Sequence, residues 1–468
     1  MHACFDPFQA AATAFQVTFD GLLDPSSLQR VRARRLARLL QTRVTCSPFY
    51  GKRLRGVDPK SARLSDPPVA HRGELMQHFD EWVTDSRIRL DELRVLVGRP
   101  ERLAALYLDR YLMWQSSGTS GEPGIFVQDA LAMGVYDALE AVRGPLVRWA
   151  MAHPGSVDLQ RNLVLIGATE EHYASTVAAE RLRKLNPWLR GQLHDLSFLQ
   201  PMHRLRQALE ALNPIVLASF PSVVLQLAEE HLHGRLDIAP QEIWVGGETL
   251  TPWTRAFVER VFGCRVRNSY GSSEFLAIAF ECAHEALLLN ADWVILEPLD
   301  ERGSPVGPDV EGASVLLTNL ANHVQPLLRY VFPDRVSLLS RPCACGSALP
   351  VLTVHGRDDD VLHLPGSGGR TVMVTPLAIT TVVEERAGLL DYQVRQVSPG
   401  TLVLSCGPGQ ADADAKLRRG VEELSGLLAE LGVVGAQVTC DAEGTLEPGP
   451  AGKVRRVVGS PKGNRPDP

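Results

Sequence analysis

Four short runs constrain what this chain can fold into more than any other feature. Residues 162–167, 213–219 and 242–246 are each dominated by Val, Ile, Leu or Trp and close on a Gly or Ser turn, while 264–268 alternates around Val266. Helix-length segments separate them. Pro221 falls in the first turn of one such helix, and Thr251-Pro252 opens another that reaches Phe262. Apolar runs alternating with helices predict an α/β fold: a largely parallel sheet covered on both faces, with ligands at the carboxyl ends of its strands.

At 468 residues the chain exceeds one ordinary hydrophobic core, so two or more domains are expected. After Phe280 the rhythm changes to short strands at 293–297, 314–320 and 327–331, with Gly303, Gly307 and Gly312 between them. That pattern predicts an antiparallel or barrel-like subdomain. From Val361 a second unit is expected, a small α+β domain with strands at 392–397 and 401–405 and a helix over 412–431. Near the other end, residues 26–44 predict a helix capped by Ser26-Ser27, with Leu28, Val31, Leu36, Leu39 and Leu40 as its apolar stripe. Its six arginines are expected on a solvated face.

Net charge −6 spread over this length carries no nucleic-acid or membrane-surface signature. No uncharged apolar run is long enough to span a bilayer, and the first residues lack a basic-then-apolar pattern, so a cytoplasmic location is expected. Eight cysteines in so long a chain are not a disulfide framework. Cys282-x-His284 and Cys343-x-Cys345 instead present three thiols and an imidazole, a donor set suited to closed tetrahedral zinc, with free buried cysteines as the alternative.

The stretch Ser116-Ser117-Gly118-Thr119-Ser120-Gly121-Glu122-Pro123-Gly124 holds no large apolar side chain. Its glycines let amide N–H groups converge on an anion, and its hydroxyls add donors, so it suits a phosphate chain although no Gly-Lys-Ser/Thr ends it. Further on come Gly246-Gly247-Glu248, Tyr270-Gly271-Ser272-Ser273-Glu274, Arg329-Tyr330-Val331-Phe332-Pro333-Asp334, Gly356-Arg357-Asp358-Asp359 and Gly452-Lys453-Val454-Arg455-Arg456. In this order the set resembles the adenylate-forming (ANL) enzymes, in particular their phenylacetate–coenzyme A ligase-like branch, over nearly the whole chain.

The resemblance implies a large adenylation domain (1–357), a hinge (358–360) pivoting at Asp359, and a mobile C-terminal domain (361–468). It assigns Ser116 to Gly121 to the ATP phosphates, Gly247 and Glu248 to the adenine side, Tyr270 and Gly271 to the nucleotide, Asp334 to the ribose, and Arg357 to the ribose or a phosphate. Ser273 would contact the α-phosphate, Glu274 would hold Mg²⁺, and Lys453 would bridge the acid and the α-phosphate. Phe220, Trp244 and Phe275 are the expected substrate-pocket walls. Branch members carry a comparable cysteine set, with a histidine at the position of Leu288; here His284 would substitute.

Two departures bear on the reading. Glu122 stands where many relatives have a lysine, and residues 364–371 differ from the segment that lines a coenzyme A channel. The expected activity is therefore ATP- and Mg²⁺-dependent adenylation of a small carboxylic acid, aromatic in character, followed by transfer to coenzyme A. A carrier protein, amine or hydroxyl acceptor and a catalytically silent zinc-stabilised binding protein are the alternatives, with a homodimer as the candidate assembly.

Overall fold

Asp24, rather than Ser26-Ser27, starts the long N-terminal helix. In the computed structural model its carboxylate accepts the backbone N–H of Ser26 and Ser27 and both their hydroxyls. A carboxylate two residues earlier can take all four donors, which a serine hydroxyl cannot. The structure describes residues 5–42, 46–58, 63–116, 123–145, 162–169, 172–357, 360–407, 412–441, 446 and 455–459. The N-terminal helices are α1 (Pro7–Asp20), α2 (Pro25–Thr42), α3 (Pro48–Arg53), α4 (Arg72–Gln77), α5 (Phe79–Trp82) and α6 (Leu90–Val97). Not all of the α2 arginines are solvated. Arg35 pairs with Asp20 at 2.7 Å and lies over the Trp293 ring, because it falls on the flank of the apolar stripe.

A hairpin follows, β1 (Leu112–Gln115) with β2 (Ile125–Gln128), and then α7 (Ala130–Arg143). The predicted βα alternation comes next: β3 (Leu163–Gly167), α8 (Ala174–Leu185), β4 (Leu193–Ser197), α9 (Met202–Leu212), β5 (Val216–Ser219), α10 (Pro221–Leu232), β6 (Glu242–Gly246), α11 (Pro252–Phe262) and β7 (Arg265–Tyr270). Pairings β4–β3, β3–β5, β5–β6 and β6–β7 are all parallel. Strand β4, half-buried along its length, is the edge, and its Leu-His-Asp-Leu-Ser sequence carries too little apolar character to be read as a strand alone.

The later strands divide. β8 (Ala279–Glu281) and β9 (Leu287–Leu289) continue the main sheet antiparallel, while β10 (Val294–Leu299), β11 (Ser314–Asn319) and β12 (Tyr330–Phe332) form a separate three-stranded antiparallel sheet. β13 (Asp334–Leu339) and β14 (Val351–Arg357) then return, giving the nine-stranded order β13-β14-β9-β8-β7-β6-β5-β3-β4. Pro333 is the crossing point between the two sheets. Lacking an N–H, it ends one ladder without leaving a donor unpaired.

Residues 362–457 share one further core, built on Leu362, Val374, Leu389, Tyr392, Leu404 and Leu424 among others. Its elements are the hairpin β15 (Leu362–Pro365) and β16 (Thr371–Val374), helix α12 (Pro376–Thr381), β17 (Tyr392–Ser398), β18 (Thr401–Cys406), α13 (Ala413–Glu430), β19 (Gln437–Asp441) and β20 (Val457–Val458). Four of these strands make the mixed sheet β19-β18-β17-β20. No helix among the described residues is long and apolar enough to cross a membrane.

Candidate active site

The carboxyl end of β7 is where the two halves of the large sheet change direction, with parallel β6 on one side and antiparallel β8 on the other. Tyr270 closes that strand. Its hydroxyl donates to Asp334 Oδ2 at 2.6 Å, bridging β7 to the first residue of β13. Across the β13–β14 ladder Asp334 is in register with Arg357, whose Nε lies 3.9 Å from Asp334 Oδ1. Burial pushes the Asp334 carboxyl up to about 6, against the opposing pull of Arg357 and of the Tyr270 hydroxyl. The same burial, reinforced by the Asp334 charge, holds the Tyr270 phenol well above its ordinary value.

Glu274 lies four residues on and is 7% exposed. Its Oε1 accepts from the Tyr330 hydroxyl at 3.1 Å, and its main-chain carbonyl accepts from Asn319 Nδ2 at 2.9 Å. Burial raises its pKa, while Tyr330 and the nearby positive charge of Arg72 oppose the rise. The turn that aims it depends on Gly271. A Cβ there would lie 1.9 Å from the Leu276 carbonyl oxygen, so main chain occupies the space a side chain would need. Ser273 is tied to the β1–β2 hairpin through its carbonyl, which accepts from Trp114 Nε1 at 2.8 Å.

The hairpin brings Ser116 and Gly124, at the two ends of the glycine-rich stretch, to the same place. Ser116 N–H donates to the Gly124 carbonyl at 2.8 Å and Gly124 N–H to Ser116 Oγ at 2.9 Å, which closes the neck of the 117–122 segment. Gln325 braces the neighbouring strand, accepting from Val127 N–H and donating to the Ile125 carbonyl. On the other flank Gly247 has φ +76°. Glu248 accepts from Ser222 N–H at 3.0 Å and so closes the first turn of α10. Gly246, in register with Ser269, leaves that serine's hydroxyl room that a Cβ would take.

Ser116, Tyr270, Gly271, Ser273, Glu274, Asp334 and Arg357 therefore converge from four separate stretches, with Gly247 and Glu248 on the adjoining strand end. Ser117, Gly118, Thr119, Ser120, Gly121, Asp359 and Lys453 lie outside the described residues. The three expected pocket walls pack in different apolar clusters. Phe275 is fully buried with its ring 5.1 Å from that of Tyr136, Phe220 packs edge-on against Phe198, and Trp244 donates to Glu242 and packs beside Ile215 and Val216. Large apolar side chains next to a motif serve the core as readily as a pocket. A cavity of about 80 Å³ near Tyr270 is lined by Leu139, Leu276 and Phe280 together with the charged Glu140, Arg143, Arg267 and Glu281.

The motif reading gave no role to two contributors, although Tyr330 lies within one of its stretches. Tyr330 supplies the hydroxyl on Glu274, a pairing of residues 56 apart that only the sheet crossing creates. Arg72, in the first turn of α4, stands beside Gly124 and sets its charge against both Glu274 and Tyr330. No motif surrounds it.

Away from this cluster, Cys282 follows β8 while Cys343 and Cys345 lie in the turn between β13 and β14. Their sulfurs all lie within 4.8 Å of one another, with Cys282 and Cys343 Sγ 3.4 Å apart. Zn–S bonds of about 2.3 Å in a tetrahedron put sulfurs about 3.8 Å apart, so the three thiols fit a zinc ion. Backbone N–H groups two residues on, at His284 and Cys345, donate to Cys282 and Cys343 Sγ, an arrangement that stabilises thiolates. The expected fourth ligand is corrected: the His284 ring is not part of the cluster. In so tight a turn its main chain faces the sulfur and the residue is exposed.

No family model matches the chain. Protein CapK of Staphylococcus aureus is 28% identical over 132 residues, a match spanning 28% of either protein. A 2-hydroxyisobutyryl-CoA ligase in its postadenylation state, complexed with R3-HIB-AMP, superposes with a TM-score of 0.69 at 18% identity, covering 95% of this chain and 92% of that one. The ligase with 2-HIB-AMP and CoA in the thioesterification state gives 0.55 at 20% identity, covering 94% and 91%. The chain has the fold of the adenylate-forming (ANL) enzymes, as the order of its motifs predicts.

Proposed function

We propose that this protein is an AMP-forming ligase that joins a carboxylic acid to the α-phosphate of ATP, releases pyrophosphate, and passes the acyl group to coenzyme A. The observation that carries the reading is the convergence of Tyr270, Glu274, Asp334 and Arg357 at the carboxyl end of β7, beside the neck of the glycine loop. In this reading Asp334 accepts from ribose hydroxyls, and its neighbour Arg357 supports that role. Gly271 keeps the turn that aims Glu274 closed against the Leu276 carbonyl.

A carboxylate attacking a phosphate meets like charge, so the site must neutralise it in a water-poor setting. Lys453 and Ser273 are assigned to the reacting phosphate, and Arg72 adds a cation where many relatives use a loop lysine. Glu274 would hold Mg²⁺, which neutralises phosphate charge when bound. Zinc on Cys282, Cys343 and Cys345 would staple the β8–β9 and β13–β14 turns, away from the chemistry. The division at 358–360 would let residues 361–468 move between the two half-reactions.

A panel of aryl and alkyl acids with ATP, followed by pyrophosphate release and by product mass after adding coenzyme A, tests this. An acid-dependent release that Lys453→Ala slows roughly 100-fold or more is expected for loss of a main electrostatic stabiliser. If no acid provokes release, the reading fails.

A further inference from the structure

Two arginines end the Gly-Lys-x-x-Arg motif, and both are anchored. Arg455 Nε donates to Asp360 Oδ1 at 2.8 Å, beside the proposed hinge. Arg456 pairs with Glu384 and donates through Nη2 to the Leu390 carbonyl at 2.9 Å. Leu390 itself is buried among side chains of the large-sheet layer, with Leu225, Ile243, Phe257 and Val258. Arg456 main chain is held as well, its carbonyl accepting from Val394 N–H at 2.8 Å.

Glu384 is the shared acceptor. It is 2% exposed, and its two oxygens face different parts of the molecule. Oε1 takes the Arg456 guanidinium and the Tyr392 hydroxyl, both from the 362–457 core. Oε2 takes the Thr254 hydroxyl at 2.7 Å and has that of Thr251 at 3.3 Å, both at the N-terminus of α11. A carboxylate there also meets the positive end of the helix dipole. If the two parts separate, Glu384 keeps Arg456 and Tyr392, so it is not left as an unpaired buried charge. The contact can therefore break and reform, unlike a buried ion pair split between the two parts.

We propose that Glu384 is a positioning residue: by joining Arg456 to Thr251 and Thr254 it fixes the segment after Lys453 against α11 in the arrangement used for adenylation. Lys453, three residues before Arg456 in the sequence, lies outside the described residues. The superposition agrees, because the chain fits the ligase's postadenylation state (TM-score 0.69) better than its thioesterification state (0.55) at nearly equal coverage. The inference rests on the proposed adenylation followed by thiol transfer.

The test is Thr254→Val in the full chain, which removes the donor but spares Glu384, Arg456 and Tyr392. Hydrogen exchange at residues 390–394 and in the first turn of α11 should speed up roughly 10-fold, the shift expected from losing one hydrogen bond to a charged group. Pyrophosphate release with ATP and the best acid of the panel should fall by a similar factor, while thiol transfer from supplied acyl-adenylate holds or rises. Thr254→Ser should restore both. Unchanged exchange in Thr254→Val overturns the proposal, as does an equal loss in both half-reactions, which would mark a merely structural contact. A wild-type chain that releases no pyrophosphate with any acid defeats the proposed function instead, and the exchange readout still decides the contact.

Discussion

Replacing Gly271 with alanine tests the tightest point of the site. The added Cβ would sit 1.9 Å from the Leu276 carbonyl oxygen and 2.9 Å from its carbonyl carbon, both main-chain atoms that no rotamer change can move aside. The oxygen must retreat by roughly 1 Å merely to reach the 3.0 Å below which real Cβ contacts essentially never occur. Main chain 271–276 would absorb that shift, and it carries Glu274 between Tyr330 and Asn319. Misplacement by ~1 Å near reacting groups costs on the order of 100-fold in rate, and forcing a methyl into packed structure costs about 1–3 kcal/mol. Gly426→Ala is the control. It sits in α13 with open space around its Cβ position, so it should stabilise by about 0.5–1 kcal/mol. Urea unfolding and ATP calorimetry on both variants, with pyrophosphate release where an acid is found, would check this. A Gly271→Ala protein that unfolds and binds ATP like the parent would refute the steric argument.

Three further outcomes are expected. Tyr330→Phe leaves the buried Glu274 carboxylate one donor short, which should cost about 1–3 kcal/mol and weaken Mg²⁺–ATP binding; identical unfolding and binding curves would show that the hydroxyl contributes nothing. Asp334 titrates near 6 when folded against about 3.9 unfolded, so the folded chain holds the extra proton between these values. Its stabilising effect is complete below pH ~4 and is lost as pH rises through 6, by up to about 3 kcal/mol. Asp334→Asn should flatten that slope in urea midpoints, and nucleotide affinity should fall below pH 6, where the carboxyl no longer accepts freely; parallel pH curves for parent and variant would contradict both. For the thiol cluster, metal analysis should find zinc retained in His284→Ala and lost in Cys343→Ser, the latter also melting lower; loss of metal in His284→Ala would reinstate the imidazole as a ligand.

Strand–helix alternation, the proline at the start of α10, the Thr251 cap of α11 and the second core beyond Val361 were all legible in the residues, because each is set by local backbone preference and apolar period. The order of polar motifs likewise named Tyr270, Glu274, Asp334 and Arg357, since loops at strand ends bring such residues together in this class of fold. What the linear chain withheld was pairing at long range. Nothing local says that β8, β9, β13 and β14 extend the parallel sheet while β10, β11 and β12 leave it, and that split places Tyr330 on Glu274. An aromatic side chain beside a motif looks identical in sequence whether it faces a ligand or the core: Phe275 is fully buried on Tyr136, whereas Phe220 and Trp244 are half-buried beside Phe198 and Val216. His284 and Ser26 show the smaller version, where a turn's main-chain direction and a better acceptor two residues upstream chose the ligand set and the cap. Local propensity determined which elements form; only tertiary packing, which sums contacts between residues far apart in the chain, determined which side chains meet.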